Sequence, residues 1–405
     1  MMTLKEVRGL MRDLIRDELR GPSVFKDESK LSFDYVPENL PGRTEEMRSL
    51  ARTFRPILSK SGGQNLLITG PVGTGKTALS KRFCMGFVSV AKESGINVEW
   101  EEVNCRRRPT EAAALLRILQ HFDERFPDRG FSNTEMLEIL KKHLQRRQAH
   151  LIVILDEVDI LLKKSGSDLI YNLTRFNEEA HRAEYGVSII MVSQVDARTL
   201  LDEAAASTFK RTNVLTLERY GAEQLKDIVH QRVELAFQPR TFPEECEDLV
   251  AEVAGEYGDA RFAIELLQKS GTLADDERQP AVVAEHVRAA AAEVHPFVTE
   301  AKLKELDLHK RLTLLAIARS LKKGGAYAIT GEVESVYAVI CEENGERPRA
   351  HTQFWTYLKE LEGLGFIDTK RSGKGVLGTT TLISLPDIPA KVLEEKLLDV
   401  LKAKA

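Results

Sequence analysis

The sequence predicts an α/β fold with a parallel sheet, then an all-helical region and a small mixed module at the C-terminal end. Between about residues 40 and 215, short β-rich runs alternate with helical stretches. Buried aliphatic strands separated by helices are typical of a parallel sheet covered on both faces. Residues 218–295 are rich in Ala, Glu and Leu, which favours helices, and residues 300–386 indicate three helices followed by two strands.

Four runs carry the strand predictions of the α/β region. They are NLLIT (65–69), NVEWEEV (97–103), HLIVIL (150–155) and VSIIMV (187–192). At the other end, the tail KVLEEKLLDVLKAKA has helical spacing and predicts one closing helix.

Length and composition exclude several classes of protein. A chain of 405 residues with 42% hydrophobic and 30% charged residues is typical of a globular protein with two or three domains. The longest aliphatic run, 151–155, is far too short to span a membrane, and the first 21 residues have no apolar signal core. We therefore expect a cytoplasmic protein without a membrane partner. The cysteines, at 84, 105, 246 and 341, are too scattered for a zinc site.

A phosphate-binding loop follows the first predicted strand. The segment 70–77, GPVGTGKT, fits the pattern GxxxxGK[ST] and opens a helix. Glycines let the backbone N–H groups point at phosphate oxygens, Lys76 neutralises the β- and γ-phosphates, and the Thr77 hydroxyl binds Mg²⁺. The predicted contacts to ATP or ADP are Gly70, Pro71, Val72, Gly73, Thr74, Gly75, Lys76, Thr77 and Ala78.

Acidic residues end the third predicted strand. Asp156 would hold Mg²⁺ through its water shell, and Glu157 would polarise a water for attack on the γ-phosphate. Ser193-Gln194, after the fourth strand, offers a polar side chain to the same phosphate. Arg211 offers a cation, although a surface arginine is as readily a solvated charge. The sequence therefore predicts an ATPase.

These motifs define the predicted domains. Residues 1–22 form a helical leader, because Leu4, Val7, Met11 and Leu14 recur at helical spacing. The nucleotide-binding domain of the AAA+ class spans 23–217, the helical lid 218–295, and a winged helix with the terminal helix 296–405.

The predicted winged helix has a third helix from about Arg349 to Leu364, with Phe354, Leu358 and Leu361 on its core face. Its outer face, near the helix start, is where a recognition helix meets base edges. Residues 301–405 carry 17 Lys and Arg against 14 Asp and Glu, so the module is only mildly basic. The predicted DNA contacts are Arg347, Arg349, Thr352, Gln353, Lys370, Arg371 and Lys374.

The chain resembles the archaeal replication initiators related to the origin recognition complex and the cell-division-control loader. The resemblance spans nearly the whole chain, including the leader SVFKDESKLSFDYVPENLPGR, the phosphate loop and the Asp-Glu strand. It continues in GDARFAIELL (258–267) and FWTYLKELEGLGFIDTK (354–370). It implies an initiator that binds double-stranded origin DNA, helps load the replicative helicase and meets other initiator subunits.

The resemblance also implies residue roles. Val36 to Arg43, with Tyr220, would lie near the adenine. Gln194 would be the first sensor, in place of the usual Asn, which implies slow hydrolysis. Arg261 would be the second sensor in the lid, and Arg211 an arginine finger.

Two alternatives stay open. One is a regulatory AAA+ ATPase whose winged helix contacts protein and not origin DNA. The other is a DNA-dependent ATPase of transposition or repair.

Overall fold

The computed structural model describes residues 21–59, 62–179, 185–208, 213–294, 300–322, 325–364, 366–371, 381–385 and 388–402. The predicted N-terminal helix and the side chains of Arg211, Arg371 and Lys374 lie outside that part of the chain. The chain divides into two compact units. The first comprises residues 36–220 with 258–260, and the second comprises 221–257 and 261–405 together with the described N-terminal residues up to 35. Among the described residues, no helix is both long and apolar enough to cross a membrane.

A five-stranded parallel sheet forms the centre of the first unit, with strand order β2-β3-β4-β1-β5. The strands are β1 (Asn65–Thr69), β2 (Asn97–Asn104), β3 (Ala149–Asp156), β4 (Gly186–Ser193) and β5 (Val214–Thr216). The four predicted strands are confirmed to within one residue at each end. β5 was not predicted, since a three-residue strand that is only partly buried has no clear hydrophobic pattern.

Helices cover both faces of this sheet. They are α1 (Thr44–Phe54), α2 (Lys76–Glu93), α3 (Glu111–Phe122), α4 (Asn133–Arg147), α5 (Val158–Ser165), α6 (Asp168–Glu179) and α7 (Glu203–Thr208). Along β3, Leu151, Val153 and Leu155 face one core, and Ile152 and Ile154 face the other. The strand is aliphatic at successive positions because both of its faces are buried.

The strand register brings the predicted functional segments to one edge of the sheet. Thr69, at the end of β1, pairs with Ser193, at the end of β4. Asp156, at the end of β3, pairs with Val192. The segments that follow these strands, with the phosphate loop among them, therefore meet where the carboxyl ends of parallel strands converge.

The second unit contains the predicted lid and winged helix. Its lid helices are α8 (Ala222–Ala236), α9 (Glu244–Gly255), α10 (Ala260–Asp276) and α11 (Ala284–Val294). The first residue of α10, Ala260, belongs to the first unit. The lid was predicted to be wholly helical, but Phe237 also forms an isolated antiparallel bridge with Phe25. The helices that follow are α12 (Glu300–Glu305), α13 (Leu308–Leu321), α14 (Thr330–Glu343), α15 (His351–Gly363) and α16 (Ala390–Lys402).

The winged helix has a three-stranded antiparallel sheet where two strands were predicted. Its strands, in the order β6-β8-β7, are β6 (Ala328–Ile329), β7 (Asp368–Arg371) and β8 (Thr381–Ser384). The third helix, α15, begins at His351 and not near Arg349, because Ala350 has extended backbone angles and occupies the N-cap position. The closing helix is confirmed as α16.

Candidate functional site

The phosphate loop wraps around the first residue of α2. Lys76 is 9% exposed, and its ammonium donates to the carbonyl oxygens of Gly70 at 2.7 Å and Pro71 at 2.6 Å. Gly73 has a φ of +75°, and a Cβ there would lie 1.7 Å from the Asp259 Oδ1 atom. Only glycine fits a left-handed position with a carboxylate against it. The loop therefore has the open backbone and the buried cation that an anion site needs.

Asp156 and Thr77 form a pair of oxygen donors beside the loop. The Thr77 hydroxyl donates to Asp156 Oδ2 at 3.0 Å, and the Glu157 amide donates to Oδ1 at 3.0 Å. Burial raises the pKa of the Asp156 carboxyl above its usual range. One carboxylate and one hydroxyl fit Mg²⁺, which prefers hard oxygen ligands and takes its remaining ligands from phosphate and water.

Glu157 has an unusual backbone and a cationic partner. Its φ and ψ of 54° and 43° are left-handed, a conformation that is uncommon for non-glycine residues. Its Oε2 atom accepts from the Arg106 Nε at 2.5 Å. The sequence analysis missed Arg106. The run of arginines 106–108 directly after β2, the neighbour of β3, was the available signal.

Arg43 and Tyr220, both predicted near the adenine, contact each other. Arg43 is 4% exposed, and its Nε donates to the Tyr220 hydroxyl at 3.1 Å. The same guanidinium donates to the carbonyls of Thr74 and Glu218, at 2.9 and 3.0 Å, and to Glu46. Arg43 therefore ties the phosphate loop to the segment after β5. Its contact with adenine stays a prediction, as does that of Val36, which is half-buried.

The two predicted sensor residues belong to different units. Gln194 is exposed directly after β4, at the edge where the phosphate loop begins. Arg261 belongs to the second unit, near the start of α10, and its guanidinium lies 5.1 Å from the ring centre of Phe33.

The predicted DNA contacts differ in their surroundings. Thr352 and Gln353 are exposed on the first turn of α15, and Arg347 is exposed before it. The Lys370 ammonium donates to Glu252 of α9 at 2.7 Å and lies 3.7 Å from the ring centre of Tyr327, so it joins the winged helix to the lid. The Arg349 Nε donates to His309 Nε2 at 3.0 Å.

A phosphate loop on a parallel sheet, a helical lid and a C-terminal winged helix define an AAA+ ATPase with a nucleic-acid-binding type of module. Three family models match: an AAA domain over 59–201, the Cdc6 AAA+ ATPase-type lid domain over 226–292, and the CDC6 C-terminal winged helix domain over 301–395. The chain belongs to the Orc1/Cdc6 family of DNA replication initiators.

Relatives and solved structures agree with this assignment. The ORC1-type DNA replication protein 2 of Sulfurisphaera tokodaii is 33% identical, over 93% of this chain and 92% of that protein. The crystal structure of Cdc6p from Pyrobaculum aerophilum is 28% identical and matches 94% of this chain and all of that one, with a TM-score of 0.81. The Aeropyrum pernix ORC1 protein in complex with DNA is 32% identical and matches 94% and 98% of the two chains, with a TM-score of 0.60.

Proposed function

We propose that this initiator binds the duplex at a replication origin, helps load the replicative helicase, and is switched by ATP binding and slow hydrolysis. The observation that carries the proposal is the arrangement of Lys76, Thr77, Asp156 and Glu157 at one sheet edge in a chain that also has a winged helix. Family membership supports the origin and the helicase as its partners.

The residues at the sheet edge divide the work on ATP. Lys76 binds the β- and γ-phosphates, and the loop amides orient them. Thr77 and Asp156 would hold Mg²⁺, which supplies charge neutralisation at the phosphates when it is bound. Glu157 orients the attacking water and accepts its proton.

Slow turnover follows from the surroundings of Glu157. Its Oε2 atom is paired with the Arg106 Nε at 2.5 Å, and this cation stabilises the charged carboxylate and makes it a weaker base toward water. Gln194, with one more methylene than the usual Asn, would orient the γ-phosphate less tightly. Both features favour slow hydrolysis and therefore a long-lived ATP-bound state of the protein.

Two substitutions test the ATP site. Lys76→Ala should weaken binding of a fluorescent ATP analogue at least tenfold, because it removes the buried cation at the phosphates. Glu157→Gln should bind the analogue as the wild type does and lose most of its hydrolysis. Lys81→Ala, a lysine of the same helix that pairs with Glu102, is the matched control. Wild-type affinity in Lys76→Ala would contradict the proposed site.

Exposed polar residues at the start of α15 support the DNA-binding part of the proposal. Thr352 and Gln353 are exposed on the first turn of α15, the part of a recognition helix that contacts base edges in helix-turn-helix proteins, and Arg347 and Arg349 precede that turn. The Aeropyrum pernix ORC1 protein, which matches most of this chain, has been solved with DNA. Nuclease protection of an origin duplex tests this part. The wild type should protect the duplex, and a variant with Thr352 and Gln353 both changed to Ala should not.

One observation favours the alternative of a winged helix that contacts protein. The Lys370 ammonium, a predicted phosphate contact, is already held by Glu252 and Tyr327 of the same unit. That alternative predicts no footprint on any duplex in any nucleotide state.

A further inference from the structure

A cluster of three polar side chains lies under the start of α15. His309, on α13, is 7% exposed, and Tyr337, on α14, is 1% exposed. The His309 Nδ1 atom lies 2.9 Å from the Tyr337 hydroxyl, and its Nε2 atom lies 3.0 Å from the Arg349 Nε. The Tyr357 ring is parallel to the imidazole, with ring centres 6.1 Å apart. The imidazole is therefore fixed from three sides.

The directions of these hydrogen bonds follow from the donors. A guanidinium only donates, so His309 Nε2 accepts and the ring proton is on Nδ1. Nδ1 then donates to the Tyr337 hydroxyl, which also accepts from the Arg349 amide at 3.4 Å. The cluster requires a neutral His309 in a single tautomer, and it holds both the backbone and the side chain of Arg349.

The anchored guanidinium still has donors to offer. Arg349 is exposed, and within the described residues its Nη1 and Nη2 groups have no partner. Four N–H donors on a fork whose Nε is already fixed suit a pair of oxygen or nitrogen acceptors. Such a pair is presented by the O6 and N7 atoms of guanine or by two oxygens of a phosphate.

We propose that His309 is a positioning residue for DNA recognition, which fixes the Arg349 guanidinium so that both Nη groups face the duplex. The inference rests on the proposed function, since it gives the winged helix a duplex to recognise. A long arginine side chain loses rotamer freedom when it binds, and an anchor that orders it beforehand reduces that loss.

The anchor depends on pH. A protonated His309 would point a donor and a positive charge at the Arg349 guanidinium, so the hydrogen bond would be lost. Burial, then Arg349, lowers the pKa of His309 below its usual range, and Glu346 and Asp307 oppose that shift. The other titratable groups that face the cluster are Tyr337, Cys341 and Tyr357. The anchor is therefore intact at neutral pH and is lost as the pH falls through that lowered pKa.

The test is fluorescence anisotropy of the full chain with an origin duplex and a scrambled duplex, across salt and between about pH 8 and pH 5. The variants are His309→Leu, His309→Gln, Arg349→Ala and the double variant His309→Leu/Arg349→Ala. His143→Leu, a histidine of the first unit, is the matched control. Thermal unfolding of each variant confirms that it is folded.

We expect His309→Leu to weaken duplex binding about three- to tenfold at neutral pH, the equivalent of one ordinary hydrogen bond. The double variant should bind no more weakly than Arg349→Ala, because both changes remove the same contact. His309→Gln, whose amide oxygen can still accept a hydrogen bond, should bind the duplex nearly as tightly as the wild type at neutral pH. Unlike the wild type, it should not bind more weakly at low pH. His351, exposed on α15 and paired with Glu334, is retained in all variants, so its contribution is the same in each of them.

The same data distinguish acceptors on a base edge from acceptors on a phosphate. A loss confined to the origin duplex indicates a base edge. A loss equal on both duplexes, with the salt slope reduced by about 0.9, indicates a phosphate. Wild-type affinity in His309→Leu together with weak binding in Arg349→Ala would overturn the inference and leave the proposed function intact. Absence of duplex binding by the wild type would overturn both.

Discussion

At the residue scale, the phosphate loop combines what its sequence predicts with one contact that its sequence does not. The pattern GxxxxGK[ST] predicts glycines that let the backbone wrap around phosphate, and a lysine at the phosphates. The carboxylate of Asp259, which lies against Gly73, comes from a segment 186 positions further along the chain. Only the folded structure brings the two together, so Gly73 serves the backbone conformation and the packing of Asp259 at once.

Substitution by alanine should destabilise the protein at Gly73 and not at Gly86. Gly73→Ala should lower the free energy of unfolding by about 1–2 kcal/mol, because alanine strains a φ of +75° and the Asp259 carboxylate has to move. Gly86→Ala is the matched control. Gly86 lies within α2 with no atom within 4 Å of its added Cβ, so the change should stabilise by about 0.5–1 kcal/mol. Urea unfolding measures both, and equal stabilities for the two variants would refute the argument.

At the element scale, the longer strands and the helices with a clear apolar face could be predicted, and the strands of two or three residues could not. β3 is buried at every position, and its sequence is aliphatic for that reason. β5 and β6, of three and two residues, depend on neighbouring strands for their hydrogen bonds and have no pattern of their own. The start of α15 was placed two residues early, because alanine is a strong helix former and a poor N-cap residue, and yet Ala350 is extended and occupies the N-cap position.

The edge strand β2 is joined to α3 by a histidine between two glutamates. His121 Nδ1 lies 2.9 Å from Glu101 and its Nε2 lies 3.0 Å from Glu99. The hydrogen bond to Glu101, aided by Glu99 and opposed by burial, raises the pKa of His121 above its usual range. A cation between two carboxylates stabilises this edge of the sheet only while it is protonated.

The stability that His121 contributes should therefore depend on pH. Its folded pKa lies above the unfolded value of about 6.5, so the contribution is fully present below that value and is lost as the pH rises through the folded pKa. His121→Gln should lower the free energy of unfolding by about 0.3–1 kcal/mol at about pH 6, and by less at about pH 9. Urea unfolding of both proteins at the two pH values measures it. A difference that grows with pH would contradict the assigned charge.

At the scale of the whole molecule, the predicted lid and winged helix form one compact unit, and named contacts join them. Arg288 of α11 is fully buried and donates to the carbonyls of Gly325 and Ala326, at 3.0 and 2.9 Å. Lys370 reaches Glu252 of α9. These contacts join residues 37 and 118 positions apart, and no local pattern in the sequence announces them. These contacts hold the winged helix against the lid helices within the second unit.

We expect nucleotide at the phosphate loop to control how the chain holds duplex DNA. The most direct measurement is fluorescence anisotropy of an origin duplex and a scrambled duplex, each with ATP or ADP, with Lys76→Ala as the variant that cannot respond. We predict a preference for the origin duplex, a difference between ATP and ADP in the wild type, and no such difference in Lys76→Ala. Absence of duplex binding at low salt, where phosphate contacts are strongest, would contradict the claim and leave a nucleotide-binding regulator.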